Sequence, residues 1–352
     1  MTTLINKYPP RLSNIELLRL LAMLGVLVVH ADFGALGEPT RQEWLATPGY
    51  TAMRTLAEAF AIVAVNVFVL ISGWFGIRFR WSALGKLLFQ CAFFFFGIYF
   101  TLRACGVSQT PPLKGIYMCL MFSENAWFVK AYVGMFILAP VMNAFMENAT
   151  RRQAATLLVV FFTFQSLYGW LSAGATYIEK GYSAFSFMGL YLLARYVRTY
   201  RPRWSQWSLR RDWAAYVLLS LLTAAGFLTF TIVGVYPLFA MFASYTSPLI
   251  IAAALFLLLA FSKMPFRSKA VNGVASSCFA VYLFHFIVFP TYMRPLIQEL
   301  AATHNGMAFL GLLCAFLLAF YAAAIALDKV RLGVWNTLLA PLFKRINNDC
   351  PF

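Results

Sequence analysis

The chain has 352 residues, 62% of them hydrophobic and 11% charged, with a mean hydropathy of +0.74. Soluble domains carry about 25% charged residues, so this composition excludes an ordinary water-soluble protein and points to the membrane class. The formal net charge of +16 does not argue for nucleic acid, because the Lys and Arg residues fall in short runs between apolar segments rather than on one basic module.

Ten apolar segments of spanning length can be marked, at approximately 15–34, 57–77, 84–103, 127–146, 153–173, 182–200, 212–233, 236–261, 273–293 and 306–328. The expectation is an all-α, polytopic protein forming one integral-membrane domain over 1–352. Mixed residues precede the first segment and no small-residue cleavage site follows it, so a cleavable signal peptide is not expected. With the N-terminus in the cytoplasm, most of the 28 cations fall on the inner side, and the richest inner loop is the one holding Arg201, Arg203, Arg210 and Arg211. Both termini are then cytoplasmic.

The first segment carries Arg19 and His30. Eleven residues place both side chains on the same helix face, about 20° apart and roughly 16 Å along the axis. Ionisable groups at membrane depth are costly and mark function by default. The plainer alternative is an Arg snorkelling to the interface and a His capping the far end. The second segment closes on Phe68-Val-Leu-Ile-Ser72-Gly73-Trp-Phe, followed by Arg78 and Arg80 at the membrane surface. Small residues there permit close helix approach or a backbone turn. The external connections 35–56 and 104–126 are long enough to act as lids, with surface loop as the plainer alternative. Trp127-Phe-Val-Lys-Ala-Tyr132 opens the fourth segment, where an aromatic belt also places such residues.

The loop 196–211 sets Trp204 and Trp207 among its cations, which suits anionic lipid or a mouth for a polyanionic ligand. The ninth segment contains Val281-Tyr282-Leu-Phe-His285, and a lone His on an apolar helix is more often packing than catalysis. The six cysteines show no metal-ligand spacing, so no metal site is expected; Cys105 and Cys119 share one loop and could pair. Arg19, Glu58, Lys130 and Arg195 sit near interfaces, with His30 and His285 deeper. No Asp/Glu relay and no inverted repeat with broken helices is visible, which weakens the alternative of a transporter for a lipid-linked sugar or small molecule.

Arg-x10-His in the first segment, Phe-Val-Leu-Ile-Ser-Gly-Trp-Phe closing the second, Trp-Phe-Val-Lys-Ala-Tyr opening the fourth and Tyr-Leu-Phe-His in the ninth occur in one order. Together they resemble the acyltransferase-3 family of bacterial membrane acyltransferases, along almost the whole chain. The resemblance implies acyl transfer, usually of acetyl, from cytosolic acetyl-CoA to a glycan or lipid-linked sugar hydroxyl at the bacterial inner membrane. Acyl-CoA is then a substrate, and no permanently bound cofactor is implied. His30 matches the family's essential histidine and Arg19 its partner. Glu16 stands where Asp is usual. Ser72 and Gly73 match the Ser-Gly pair, and Tyr282 and His285 the Tyr-x-x-His element. Arg78 and Arg80 stand two apart where some members carry Arg-x-x-Arg, and would contact the donor.

Overall fold

The computed structural model describes residues 12–108, 110–122, 126–171, 179–235, 241–304 and 306–342, which are helical with no strand among them. Apolar runs of this length leave the backbone no partner but itself in hydrocarbon, and the helix satisfies each N–H and C=O internally. Helix α1 (Ser13–Val29) continues into a π-helical turn, His30–Gly34. A reciprocal Thr40–Glu43 capping box starts the short α2 (Arg41–Ala46). Helix α3 (Pro48–Ala61) has its proline in the first turn, where the missing N–H costs nothing, and stacks end to end on α4 (Ala64–Phe75). Then come α5 (Trp81–Ala104), α6 (Pro112–Cys119), α7 (Trp127–Asn148), α8 (Arg151–Leu171), α9 (Ala184–Tyr200), α10 (Leu209–Val233) and α11 (Pro248–Lys263). A broken rod follows: α12 (Lys269–Ala275), α13 (Cys278–Val288), a second π-turn (Phe289–Met293) and α14 (Arg294–Thr303). Helix α15 (Gly306–Val334) runs into a third π-turn, Trp335–Leu339.

Each expected segment coincides with a helix, with shifted ends. The second span begins at Pro48 because much of the expected outer loop 35–56 is helical. Helix α11, at the eighth expected segment, begins at Pro248, and residues 236–240 of that segment lie outside the described residues. So do Ser123 to Asn125 in the 104–126 connection, and the cations Lys344 and Arg345. Seven helical runs are long and apolar enough to cross a bilayer: Ser13–Gly34, Pro48–Phe75, Trp81–Ala104, Trp127–Asn148, Leu209–Val233, Lys269–Thr303 and Gly306–Leu342. Helices α8, α9 and the shorter apolar α11 stand at the other three positions without meeting both criteria.

Helix α1 lies at the centre, against α3, α4, α11, α12 and α13. Helices α4 and α9 pack closest where Gly73 faces Tyr191. A Cβ on Gly73 would stand 2.3 Å from the Tyr191 carbonyl oxygen, so no other residue fits that crossing. Tyr191 then ties the end of α4 to α7. Its hydroxyl accepts from the Ile77 N–H at 2.8 Å and donates to Asn143 Oδ1 at 2.8 Å, while Asn143 Nδ2 returns a bond to the Ile77 carbonyl. On the far flank, Arg331 holds Asp328 through two nitrogens at 2.8 and 3.0 Å, and Gln90 of α5 donates to the same carboxylate, docking α15 on α5.

The basic loop is fixed rather than loose. Lys263 donates to the Ser205 and Trp207 carbonyls and pairs with Asp212, while Trp207 stacks on Phe256 of α11 at 5.5 Å.

Candidate active site

His30 closes the last turn of α1. Its Nδ1 lies 2.8 Å from the Val26 carbonyl oxygen, which can only accept, so Nδ1 carries the proton and Nε2 presents a lone pair. Helix α13 brings His285 against it, with ring centroids 4.4 Å apart and planes at 67°. His285 is 1% exposed, and neither of its ring nitrogens makes a hydrogen bond of normal geometry. Phe289 abuts both imidazoles at 5.4 Å. Each histidine helix runs into a π-turn at this point, a distortion often found at functional sites.

Two cavities meet at His30. The larger, about 930 Å³, is bounded by α5, α6 and the α13 end, and its wall includes His285, Tyr99, Lys114, Cys119 and Tyr292. The smaller, about 220 Å³, is apolar and aromatic, bounded by Met23, Phe68, Phe128, Tyr245, Phe279 and Tyr282. His30, Trp127 and Phe286 line both and form a shared wall. Trp127 stacks between Tyr182 at 4.3 Å and Tyr245 at 6.0 Å.

The other residues singled out above are spread over the fold. Tyr282 lines the smaller cavity, 6.2 Å from the His285 ring. Arg19 borders neither cavity; it is partly exposed and pairs with Glu16 at 3.1 Å, one turn earlier on α1. Ser72 bonds the Phe68 carbonyl at 3.0 Å and the Tyr132 hydroxyl at 3.1 Å, and with Gly73 it shapes helix packing rather than a cavity wall. Arg78 and Arg80 are exposed just past Gly76. Arg195 and Arg198 join them: the Arg195 guanidinium lies against Gly76, and Arg198 covers the Trp74 ring at 4.9 Å. Arg195 Nε is buried without a hydrogen-bond partner.

A buried charge cluster beside His30 has no counterpart in the sequence reading. Asp32, two residues past His30, accepts from Arg54 Nε at 2.5 Å; Arg54 also donates to the Gly37 carbonyl at 2.6 Å and reaches Glu43 at 3.7 Å. Arg54 is 7% exposed. Glu58, one turn along α3, is 1% exposed, and its Oε2 lacks a hydrogen bond, as does Asp32 Oδ2. The i, i+4 spacing of Arg54 and Glu58 was the available signal. At the rim, burial raises the Glu38 carboxyl above its ordinary range, with Lys180 opposing.

Cys105 and Cys119 are both free thiols. Burial pushes the Cys119 thiol up to about 11, so it is protonated at neutral pH and is no nucleophile for the cavity it borders. Among the described residues no group of three His, Cys, Asp or Glu side chains could hold a metal ion.

Among the described residues the fold is helical, with helices long and apolar enough to cross a membrane, and the His30 imidazole lines two cavities. The chain belongs to the acyltransferase-3 family, whose acyltransferase domain matches residues 12–328, and it is a membrane acyltransferase. No curated protein and no solved structure shows a significant match.

Proposed function

We propose that the protein moves an acyl group, acetyl in the first instance, from cytosolic acyl-CoA to a hydroxyl of a cell-envelope glycan at the bacterial inner membrane. The observation that carries this reading is His30 in the wall shared by two cavities, with Nδ1 committed to Val26 and Nε2 free. On this reading, with ten spans and both termini inside, Arg78, Arg80, Arg195 and Arg198 lie at the cytoplasmic end of α4 and α9, where the CoA phosphates arrive. The pantetheine arm then reaches the smaller, apolar cavity, and the acceptor sugar occupies the larger one. Arg19, held by Glu16 near the inner end of α1, is available to a polar group of the donor.

In the direct route, His30 Nε2 removes the proton from the acceptor hydroxyl as its oxygen attacks the thioester carbonyl. The tetrahedral adduct collapses, the carbon–sulfur bond breaks, and the imidazolium returns the proton to the CoA thiolate. A positioned base of this kind contributes about 10²–10⁴ in rate. The same residue as nucleophile would give an acyl-imidazole and the same product. His285, packed on the His30 ring, restricts its orientation.

Replacing His30 by Ala tests the assignment in purified protein. Transfer and thiol release from acetyl-CoA fall by about 10²–10⁴ while thermal unfolding stays close to that of the parent. Full residual activity sinks the catalytic role. Thiol release also separates this reading from transport, in which the thioester survives.

A further inference from the structure

Two π-turns meet at the His30 ring, and the second has a readable origin. In Phe289-Pro-Thr-Tyr-Met-Arg-Pro295 both prolines lack the N–H that an α-helix would use. The rod widens there, and the Arg294 N–H bonds back five residues to the Phe289 carbonyl. That turn delivers Phe289, 6% exposed, against the end of α1. Its ring meets His30 edge to face at 80° and also meets His285, each with centroids 5.4 Å apart. The tip of the same ring reaches the far end of the π-turn after α1, since a Cβ on Gly34 would lie 3.3 Å from Phe289 Cζ. One phenyl ring thus bears on both ends of the His30–Gly34 turn.

Two further contacts hold that ring and that turn. The Arg294 guanidinium covers the Phe289 ring at 5.2 Å. One turn along α14, Gln298 Nε2 donates to the Ala35 carbonyl at 2.8 Å, where the last carbonyls of a helix lack partners of their own. Core packing alone explains a buried phenyl ring. It does not explain why one side chain spans the turn that carries the base while a hydrogen bond pins the end of that turn. His30 needs such support. Its bond to Val26 fixes Nδ1, yet the ring can still swing about that bond. The His30, His285 and Phe289 centroids form a triangle with sides of 4.4, 5.4 and 5.4 Å, so His30 cannot swing toward either neighbour without overlap.

We propose that Phe289 is a positioning residue for the His30 base, and that Gln298 completes its seat by tying α14 to the end of the His30 turn. Neither side chain moves a proton or an acyl group; both keep Nε2 on the line of transfer. The inference rests on the acyltransferase reading of His30. It extends control of the base to α14, which lies outside every motif of the sequence.

The test uses the full protein, with variants at both positions in the parent and in the His30→Ala background. Misplacing a base by about 1 Å costs roughly 10² in rate, so Phe289→Ala should lower kcat by about that factor and leave the KM for acetyl-CoA within about twofold. Phe289→Leu, which refills most of the space, should recover much of the loss. Gln298 is exposed, so Gln298→Leu should unfold close to the parent temperature while kcat falls about tenfold through the lost bond. With His30 already Ala, Phe289→Ala should leave the residual rate unaltered, because no base remains to be positioned. Carbethoxylation of His30 by diethyl pyrocarbonate, read by mass spectrometry, needs no acyl transfer. It should be several-fold faster in Phe289→Ala than in the parent and slow again in Phe289→Leu. A protein that shows this pattern but releases no thiol from acetyl-CoA would refute the acyltransferase reading and leave the seat of His30 standing. Equal losses with and without His30, or an unaltered kcat in Phe289→Ala or Gln298→Leu, would overturn the proposal.

Discussion

The rings of His30 and His285 touch edge to face with centroids 4.4 Å apart, although 255 residues separate them in the chain. His285 offers no hydrogen bond to hold its neighbour, so its effect on His30 is steric. Replacing it by Ala opens space beside the base. Misplacement of a catalytic group by about 1 Å costs roughly 10² in rate, so kcat should fall by about that factor. The KM for acetyl-CoA should change little, and His285→Phe, which fills the space, should recover much of the loss. Steady-state kinetics with both variants check this; an unaltered kcat in His285→Ala removes His285 from the site.

The Asp32–Arg54 pair fixes the backbone immediately beyond His30, and both partners are buried. Breaking a buried pair from one side strands the other charge, at about 3–5 kcal/mol. Arg54→Met should therefore destabilise strongly, and adding Asp32→Asn should restore a large part of that loss. Thermal unfolding in detergent measures the cycle. Additive losses would mean that the two groups do not interact as their geometry implies.

Glycines in this fold are separable by what surrounds them. Gly73→Ala drives a methyl into the Tyr191 backbone, and overpacking of this kind costs about 1–3 kcal/mol. Gly311 on α15 has open space, so Gly311→Ala should be neutral or stabilise by up to about 1 kcal/mol. Equal effects of the two substitutions in unfolding assays would contradict the α4–α9 crossing.

Cys119 offers a reporter for the large cavity. Thiolate is the reactive form, and with the thiol pushed up to about 11 its alkylation should climb about tenfold per pH unit below that value. A molecule filling the cavity should protect it. Mass spectrometry of the Cys119 peptide after timed iodoacetamide treatment at several pH values gives the slope. A plateau below pH 9 would show an ordinary exposed thiol.

The parts of the fold set by local composition were readable in advance. Apolar runs located the helices, and the Arg-x10-His spacing and the Tyr282–His285 element named the two imidazoles. Their contact was not readable, because it depends on how α1 and α13 cross rather than on either segment. Ser72 and Gly73 were visible as a motif, yet their physical task, admitting the Tyr191 backbone, emerges only from the α4–α9 crossing. The bond from Arg54 to Asp32 was equally hidden, because it depends on how the capped and proline-started helices α2 and α3 fold back against the π-turn after α1.

His30, Trp127 and Phe286 are common to the walls of both cavities, and that has a kinetic consequence. They can screen the thioester from the larger cavity, but nothing in them tells a sugar hydroxyl from water. Selectivity must then come from occupancy. An enzyme without acceptor should slowly hydrolyse acetyl-CoA, and saturation with acceptor should switch that leak off by displacing the water that causes it.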